Sequence, residues 1–207
     1  MRVRKTGGMA DLDDSEPLGG WGLVPVPVVE AVHALNRKIL RNGQHLDGLV
    51  WPKKPRDVQD LLRMSVSDAH KVARASTDLR ALLTAYAHRF HQPRPVMADL
   101  ARAQEATPQG IPRRYGQSNV DALTALLSDE PDIEVILAGL PSLALLDLTE
   151  FSGAVGRAAK AMRDEGVRPR SAARLKAEKE VRTTAERAKR LGDVLAPIRA
   201  QVDEASD

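Results

Sequence analysis

The sequence of 207 residues contains no cysteine and few aromatic residues. The absence of cysteine excludes disulfide scaffolds, iron–sulfur clusters, cysteine-based zinc sites and thiol nucleophiles within this chain. Tryptophan, tyrosine and phenylalanine together make up 3% of the residues, so the core must be built from alanine, leucine, valine and isoleucine. Because sandwiches and barrels draw on aromatic and β-branched residues, this composition favours helices. We predict an all-α fold: a compact multi-helix body with a long C-terminal amphipathic helix.

Long apolar runs are also missing. No stretch approaches the roughly 18 consecutive apolar residues that a membrane-spanning helix needs, so we expect no membrane partner. The basic start, residues 1–8, leads into acidic residues rather than an apolar stretch, which is unlike a secretory signal. The expectation that follows is a reducing, cytoplasmic location.

Familiar catalytic motifs are absent as well. The sequence has no phosphate-binding loop, dinucleotide fingerprint or nucleophile elbow. His88 and His91 are three residues apart, as some helical metal ligands are, but no acidic residue completes a metal-binding motif. We therefore expect a protein that is not an enzyme and that needs neither a metal nor another cofactor.

Positive and negative charges are segregated along the chain. The formal net charge is only +3, yet residues 51–115 carry +6, whereas residues 116–150 hold seven acidic residues and no lysine or arginine. Lysine and arginine gain free energy by releasing counterions from a polyanion, and arginine forms bidentate contacts with phosphate and guanine. The basic block predicts an anionic partner. The acidic block is expected to dock on a basic segment of this chain or of a neighbour.

Turn residues and helical periodicity divide the chain into three parts. Residues 1–24, rich in glycine and charge, are expected to form a flexible tail. Residues 25–166 are expected to form the helical body, and 107–116 is its clearest loop. Residues 171–207 carry apolar or small side chains at alternating spacings of four and three, which predicts a long helix. That helix would pack on the body, or pair with a second copy or another protein.

Residues 56–76 have the apolar spacing of two short helices that cross at a tight turn. The break between them is expected at Met64 and Ser65, and Ser65 and Asp68 have the spacing of a capping box for the second helix. The pattern resembles the helix-turn-helix unit of DNA-binding regulators. It departs from that unit at Arg63, where glycine is common. A non-glycine residue there implies either a backbone strain of about 1 kcal/mol or a turn of different geometry.

The resemblance implies DNA as the partner, because the outward face of the second helix of such a unit enters the major groove. The residues on that face are Ser67, His70, Lys71 and Arg74. Arg113 and Arg114 in the predicted loop are further candidates for phosphate contact. The sequence thus predicts a DNA-binding protein that acts as an oligomer, as a transcription regulator or as part of a nucleoprotein complex. The alternative is a helical subunit that assembles with other proteins of a larger machine and reads no bases.

Overall fold

The computed structural model describes residues 24–170 and, beyond them, separate positions between 174 and 190. Within this part of the chain there are helices and no β-strand, so the all-α prediction is confirmed. The predicted tail, residues 1–24, lies outside the described residues except for Val24. The predicted helix over 171–207 also lies outside them, except for the separate positions, whose backbone is helical. None of the described helices is both long and apolar enough to cross a bilayer.

The helices follow one another with short connections. They are α1 (Val26–Asp47), α2 (Pro55–Arg89), α3 (Met97–Arg102), a 3₁₀ helix (Pro108–Arg114), α4 (Gln117–Leu126), α5 (Ile133–Gly139), α6 (Leu145–Leu148) and α7 (Gly153–Asp164).

Helices α1 and α2 form an antiparallel pair. Both begin with a proline in the first turn, where the missing backbone N–H has no helical partner to lose. His45 near the end of α1 lies beside Asp68 in the first half of α2, with 3.4 Å between Nδ1 and Oδ2. The apolar spacing of α1 places Val28, Ala31 and Leu35 in the core, as its sequence predicts.

The break predicted at Met64 and Ser65 is wrong. Residues 55–89 form one continuous helix of 35 residues, so the two crossing helices of a helix-turn-helix unit are absent from residues 56–76. Ser65 does not cap a helix start: its hydroxyl donates to the carbonyl of Leu61, one turn earlier, at 2.8 Å. No glycine or proline lies between residues 56 and 89 to interrupt the helix, and Arg63 is a good helix former.

The core surrounds the second half of α2. Leu82 and Ala85 are fully buried against α1 and α4, in a cluster that continues through α5 to α7. Asp78 joins this half of α2 to the chain before α6, because its Oδ2 accepts a hydrogen bond from the Ser142 N–H at 2.8 Å. The second half of α2 is therefore fixed inside the body.

The first half of α2 and the second half of α1 have a different environment. Among residues 36–74, every residue whose burial is described is exposed or half-buried. The described side-chain hydrogen bonds and ion pairs of residues 40–72 have both partners within α1 and α2. We call this segment, residues 36–74, the arm. Beyond its base at Arg37 and Lys38, the described side-chain hydrogen bonds and ion pairs of the arm join its two helices or lie within one of them.

The acidic block docks on basic residues of its own chain. Lys38 pairs with Asp147 at 2.9 Å and Arg37 pairs with Glu150 at 3.0 Å, which ties the base of the arm to α6. On the other side of the block, the backbone N–H of Arg170 donates to Glu134 at 2.9 Å.

Arg170 also binds Glu134 through its guanidinium group. This ion pair holds the pKa of Glu134 below its ordinary value, against the opposing effect of burial. Asp147, Glu150 and Glu134 are therefore engaged by basic residues of the same chain.

Candidate nucleic-acid interface

The four residues predicted on α2 lie together on the arm. Ser67, His70, Lys71 and Arg74 are all exposed. At 3.6 residues per turn they fall within an arc of about 100° of the helix surface. The half-buried residues that face α1 lie on another side of the helix: Val58, Leu61, Ser65, Asp68 and Val72. The predicted residues therefore point away from α1 and into solvent.

Two further arginines extend the same face toward the start of α2. Arg56 and Arg63 are exposed and fall within the same arc. Asp60 is the one acidic residue there, and it pairs with Arg63 at 3.3 Å. We call the set Arg56, Arg63, His70, Lys71 and Arg74 the basic strip. These two residues were missed in the sequence analysis because a break at Met64 would have placed them on another helix. The signal that could have found them is the spacing of seven residues between Arg56, Arg63 and His70, which places all three on one side of a continuous helix.

Some cations of the basic strip have a carboxylate partner and others do not. Lys71 donates to the half-buried carboxylate of Asp68 at 2.8 Å, and this hydrogen bond is the main reason why the pKa of Asp68 is lowered. Asp68 thus reduces the field of Lys71. Within the described part of the chain, Arg56 and Arg74 have no ion-pair partner. These two arginines leave the strip with positive charge that no described residue pairs with.

An apolar strip runs beside the basic one. Leu62, Val66, Ala69 and Ala73 are exposed and lie within an arc of about 60°. They lie on a third side of α2, between the side that packs on α1 and the side that carries the basic strip. The side chain of Leu62 is 45% exposed and that of Val66 is 67% exposed, which is unusual for large apolar residues next to each other on a helix. The arm thus presents two surfaces of different chemistry.

The structure does not bring Arg113 and Arg114 to the basic strip. They lie in the 3₁₀ helix, not in the predicted loop, because the fully buried Ile111 and a hydrogen bond from Gly110 N–H to Thr107 Oγ1 order this segment. The 3₁₀ helix contacts the far end of α2 near His88. That end is about 20 Å along the helix axis from Arg74, at 1.5 Å per residue.

The described residues contain no group of histidine, aspartate and glutamate side chains that could hold a metal ion. Comparison with known proteins gives no matching family model, no matching curated protein and no matching solved structure. The geometry and charge of the arm are therefore the basis for assigning a function.

Proposed function

We propose that this protein binds duplex DNA, without catalysing a reaction, through the basic strip of the arm. The observation that carries the proposal is the exposure of the whole strip on the side of α2 that faces away from α1. A helix about 10–12 Å wide fits a major groove about 12 Å wide. Because α1 supports the opposite side of the helix, the strip can enter a groove without moving α1.

The length of the strip sets the extent of the contact. From Arg56 to Arg74 the helix rises by about 27 Å. Arginine and lysine side chains along that length reach phosphates on the groove edges, while Ser67 and His70 offer hydrogen bonds to bases or backbone. The surface that contacts DNA in this proposal is one continuous helix and not a helix-turn-helix unit. Ser67, His70, Lys71 and Arg74 keep the DNA-contacting role that the sequence predicts for them.

The test is the salt dependence of binding to a duplex. Each phosphate neutralised by a cation contributes about 0.9 to the slope of log affinity against log salt. Lys71→Ala with Arg74→Ala is therefore expected to lower the magnitude of this slope by about 2 and to weaken binding at low salt. Arg56→Ala with Arg63→Ala is expected to have the same effect if the strip is used along its whole length. Circular dichroism of each variant checks that the helices are retained.

The matched control removes two exposed positive charges from another surface. Arg157 and Lys160 are exposed on α7, so Arg157→Ala with Lys160→Ala lowers the net charge equally. This control is expected to leave the slope nearly unchanged. If it lowers affinity as much as the strip variants do, binding follows total charge and the proposal is wrong.

The second candidate function is assembly with a protein, and the apolar strip is the observation that favours it. Its occupant would be a helix with an apolar face bordered by acidic side chains, because the basic strip lies along one edge and would repel a second copy of the arm. Leu62→Ser with Val66→Ser tests this function, since both side chains are exposed and lie outside the side of α2 that packs on α1. Loss of binding to a synthetic amphipathic helix with acidic flanks, while DNA binding stays unchanged, would favour the apolar strip as a protein-docking surface, and unchanged binding to that helix would argue against it.

A further inference from the structure

An apolar groove runs along the second half of α2 and is also lined by residues of α1 and α3. It is open to solvent and has a volume of about 650 Å³. Sites for small molecules commonly have volumes of about 300–1,000 Å³ and mostly apolar linings. The size of the groove therefore fits a small molecule. Its apolar lining includes Ile39, Leu79, Leu83, Ala87, Pro95 and Leu100.

Hydrogen bonds among the polar lining residues hold the groove in shape. Gln104, in the turn after α3, donates from Nε2 to the Thr84 hydroxyl oxygen at 3.0 Å. Thr84 is buried, and its own hydroxyl donates to the Arg80 carbonyl one turn earlier at 2.7 Å. The Tyr86 hydroxyl lies 3.4 Å from His91 Nδ1. Because these polar groups bond to one another, the groove is formed before a ligand binds.

The charge in the groove is of one sign. The described residues that line it include no aspartate or glutamate, and Arg80 is the one lysine or arginine among them. Arg80 is exposed and has no ion-pair partner in the part of the chain that the structure describes. The groove therefore combines an apolar surface with an unpaired cation.

Large apolar side chains in the groove remain in contact with water. Leu83 is 44% exposed and Val24 is 42% exposed. Removing such surface from water gains free energy in proportion to its area. A groove surrounds a ligand on several sides, so a small molecule buries more of its own apolar surface here than it would on the convex apolar strip of the arm. An apolar chain is therefore the part of a ligand that this lining binds.

We propose that the groove binds a small amphipathic anion, namely a carboxylic acid with an unbranched apolar chain. The carboxylate would pair with the Arg80 guanidinium group through charge-assisted hydrogen bonds, and the chain would lie against Leu83 and Leu100. The sign of the charge decides the class of ligand, because an ammonium group would meet Arg80 with like charge and would find no carboxylate in the described lining. The proposal is independent of the proposed DNA binding, since no residue of the basic strip lines the groove.

The first experiment titrates the full chain with decanoate by isothermal calorimetry, below the concentration at which decanoate forms micelles. Saturable binding at one site is expected. Decyltrimethylammonium has a chain of similar length and the opposite charge, and acetate has the same head group and no chain. Each is expected to bind at least about tenfold more weakly, since one lacks the ion pair and the other the apolar contact. Absence of decanoate binding would leave the groove to another part of this chain or to a protein partner and would overturn the proposal, as would equally tight binding of the ammonium compound.

The second experiment locates the site with variants. Arg80→Gln removes the cation, and Leu83→Gln keeps the length of the side chain but replaces its apolar end. Each is expected to weaken decanoate binding by about three- to tenfold. The matched controls are Arg157→Gln on α7 and Leu146→Gln on α6, both exposed and outside the groove, and they are expected to leave the affinity unchanged.

Circular dichroism checks that all four variants keep their helices. If the controls weaken binding as much as the groove variants do, decanoate binds through general charge and apolarity and the proposed site is wrong. An affinity that Arg80→Gln leaves unchanged would overturn the assignment of the ligand as an anion.

Discussion

Gly139 at the end of α5 is expected to tolerate no side chain. A Cβ built there would lie 2.1 Å from the Ser118 carbonyl oxygen and 2.6 Å from the Ala122 Cβ on α4. Ordinary contacts begin near 3.4 Å. The carbonyl of Gly139 also accepts a hydrogen bond from the Asn119 side chain at 2.7 Å. Gly139→Ala therefore forces α4 and α5 apart at their closest approach and weakens this hydrogen bond.

The expected cost follows from these two contacts. The helices must separate by more than about 1 Å, and overpacking of this kind costs about 1–3 kcal/mol. Loss of the hydrogen bond adds about 1 kcal/mol. Together they lower the free energy of unfolding by about 2–4 kcal/mol. For a chain of this size, that corresponds to a fall in Tm of about 10 °C.

Thermal and urea denaturation of the full chain measure this effect. Gly43→Ala is the matched control, because no atom lies within 4 Å of its Cβ position in the exposed part of α1. That change is expected to stabilise the helix by about 0.5–1 kcal/mol. A Gly139→Ala protein as stable as the wild type would refute the close approach of α4 and α5.

Three further outcomes are expected. Leu82 is fully buried, so Leu82→Ala should lower the free energy of unfolding, measured by urea denaturation, by about 2–5 kcal/mol. Leu83, whose side chain is 44% exposed, is the control, and an effect of Leu82→Ala no larger than that of Leu83→Ala would contradict the position of Leu82 in the core. Ser65→Pro should destabilise the arm by about 3 kcal/mol, because proline removes a helical hydrogen bond and its ring meets the preceding turn; unchanged amide exchange in the arm would contradict a continuous α2. Glu134 has a lowered pKa in the folded chain. Its ion pair with Arg170 therefore makes its full contribution to the free energy of unfolding above pH 4.5, the ordinary pKa of glutamate, and this contribution is lost as the pH falls through the lowered pKa. Glu134→Gln should therefore reduce the loss of Tm between about pH 6 and about pH 3, and an identical acid dependence would argue against the ion pair.

Helical periodicity predicted much of the body correctly, because burial on one side of a helix leaves a direct mark in the sequence. Val155 and Ala159 in α7, and Phe151 just before the helix begins, are buried as their spacing predicts. The segment beginning at Ile133 is too short for its period to separate helix from strand, and it forms a helix whose first N–H groups bond to Asp132.

Capping signals were a less reliable guide. The Ser65 and Asp68 pair occurs inside α2, where the Ser65 hydroxyl bonds to the turn before it and Asp68 bonds to Lys71. The same side-chain chemistry serves a helix start and a helix interior, so local spacing alone does not distinguish them. The wrong break also hid the contribution of Arg56 and Arg63, which join the basic strip only on an unbroken helix.

The contact between the 3₁₀ helix and the far end of α2 could not be predicted from spacing at all. The Tyr115 hydroxyl and His88 Nδ1 are hydrogen-bonded at 2.5 Å, although the two residues are 27 positions apart in the chain. This is a tertiary contact without a local sequence signal. Arg113 and Arg114 were predicted in a loop, whereas the structure places them in the 3₁₀ helix.

The most direct test of the arm as the DNA-binding surface is site-specific crosslinking. The chain has no cysteine, so Ser67→Cys introduces a single thiol in the middle of the basic strip for attachment of a photoreactive group. Thr124→Cys provides the control on the exposed side of α4, away from the arm. Crosslinks to duplex DNA are expected from position 67, with few from position 124. Efficient crosslinking from position 124, with none from position 67, would contradict the role of the arm in DNA binding.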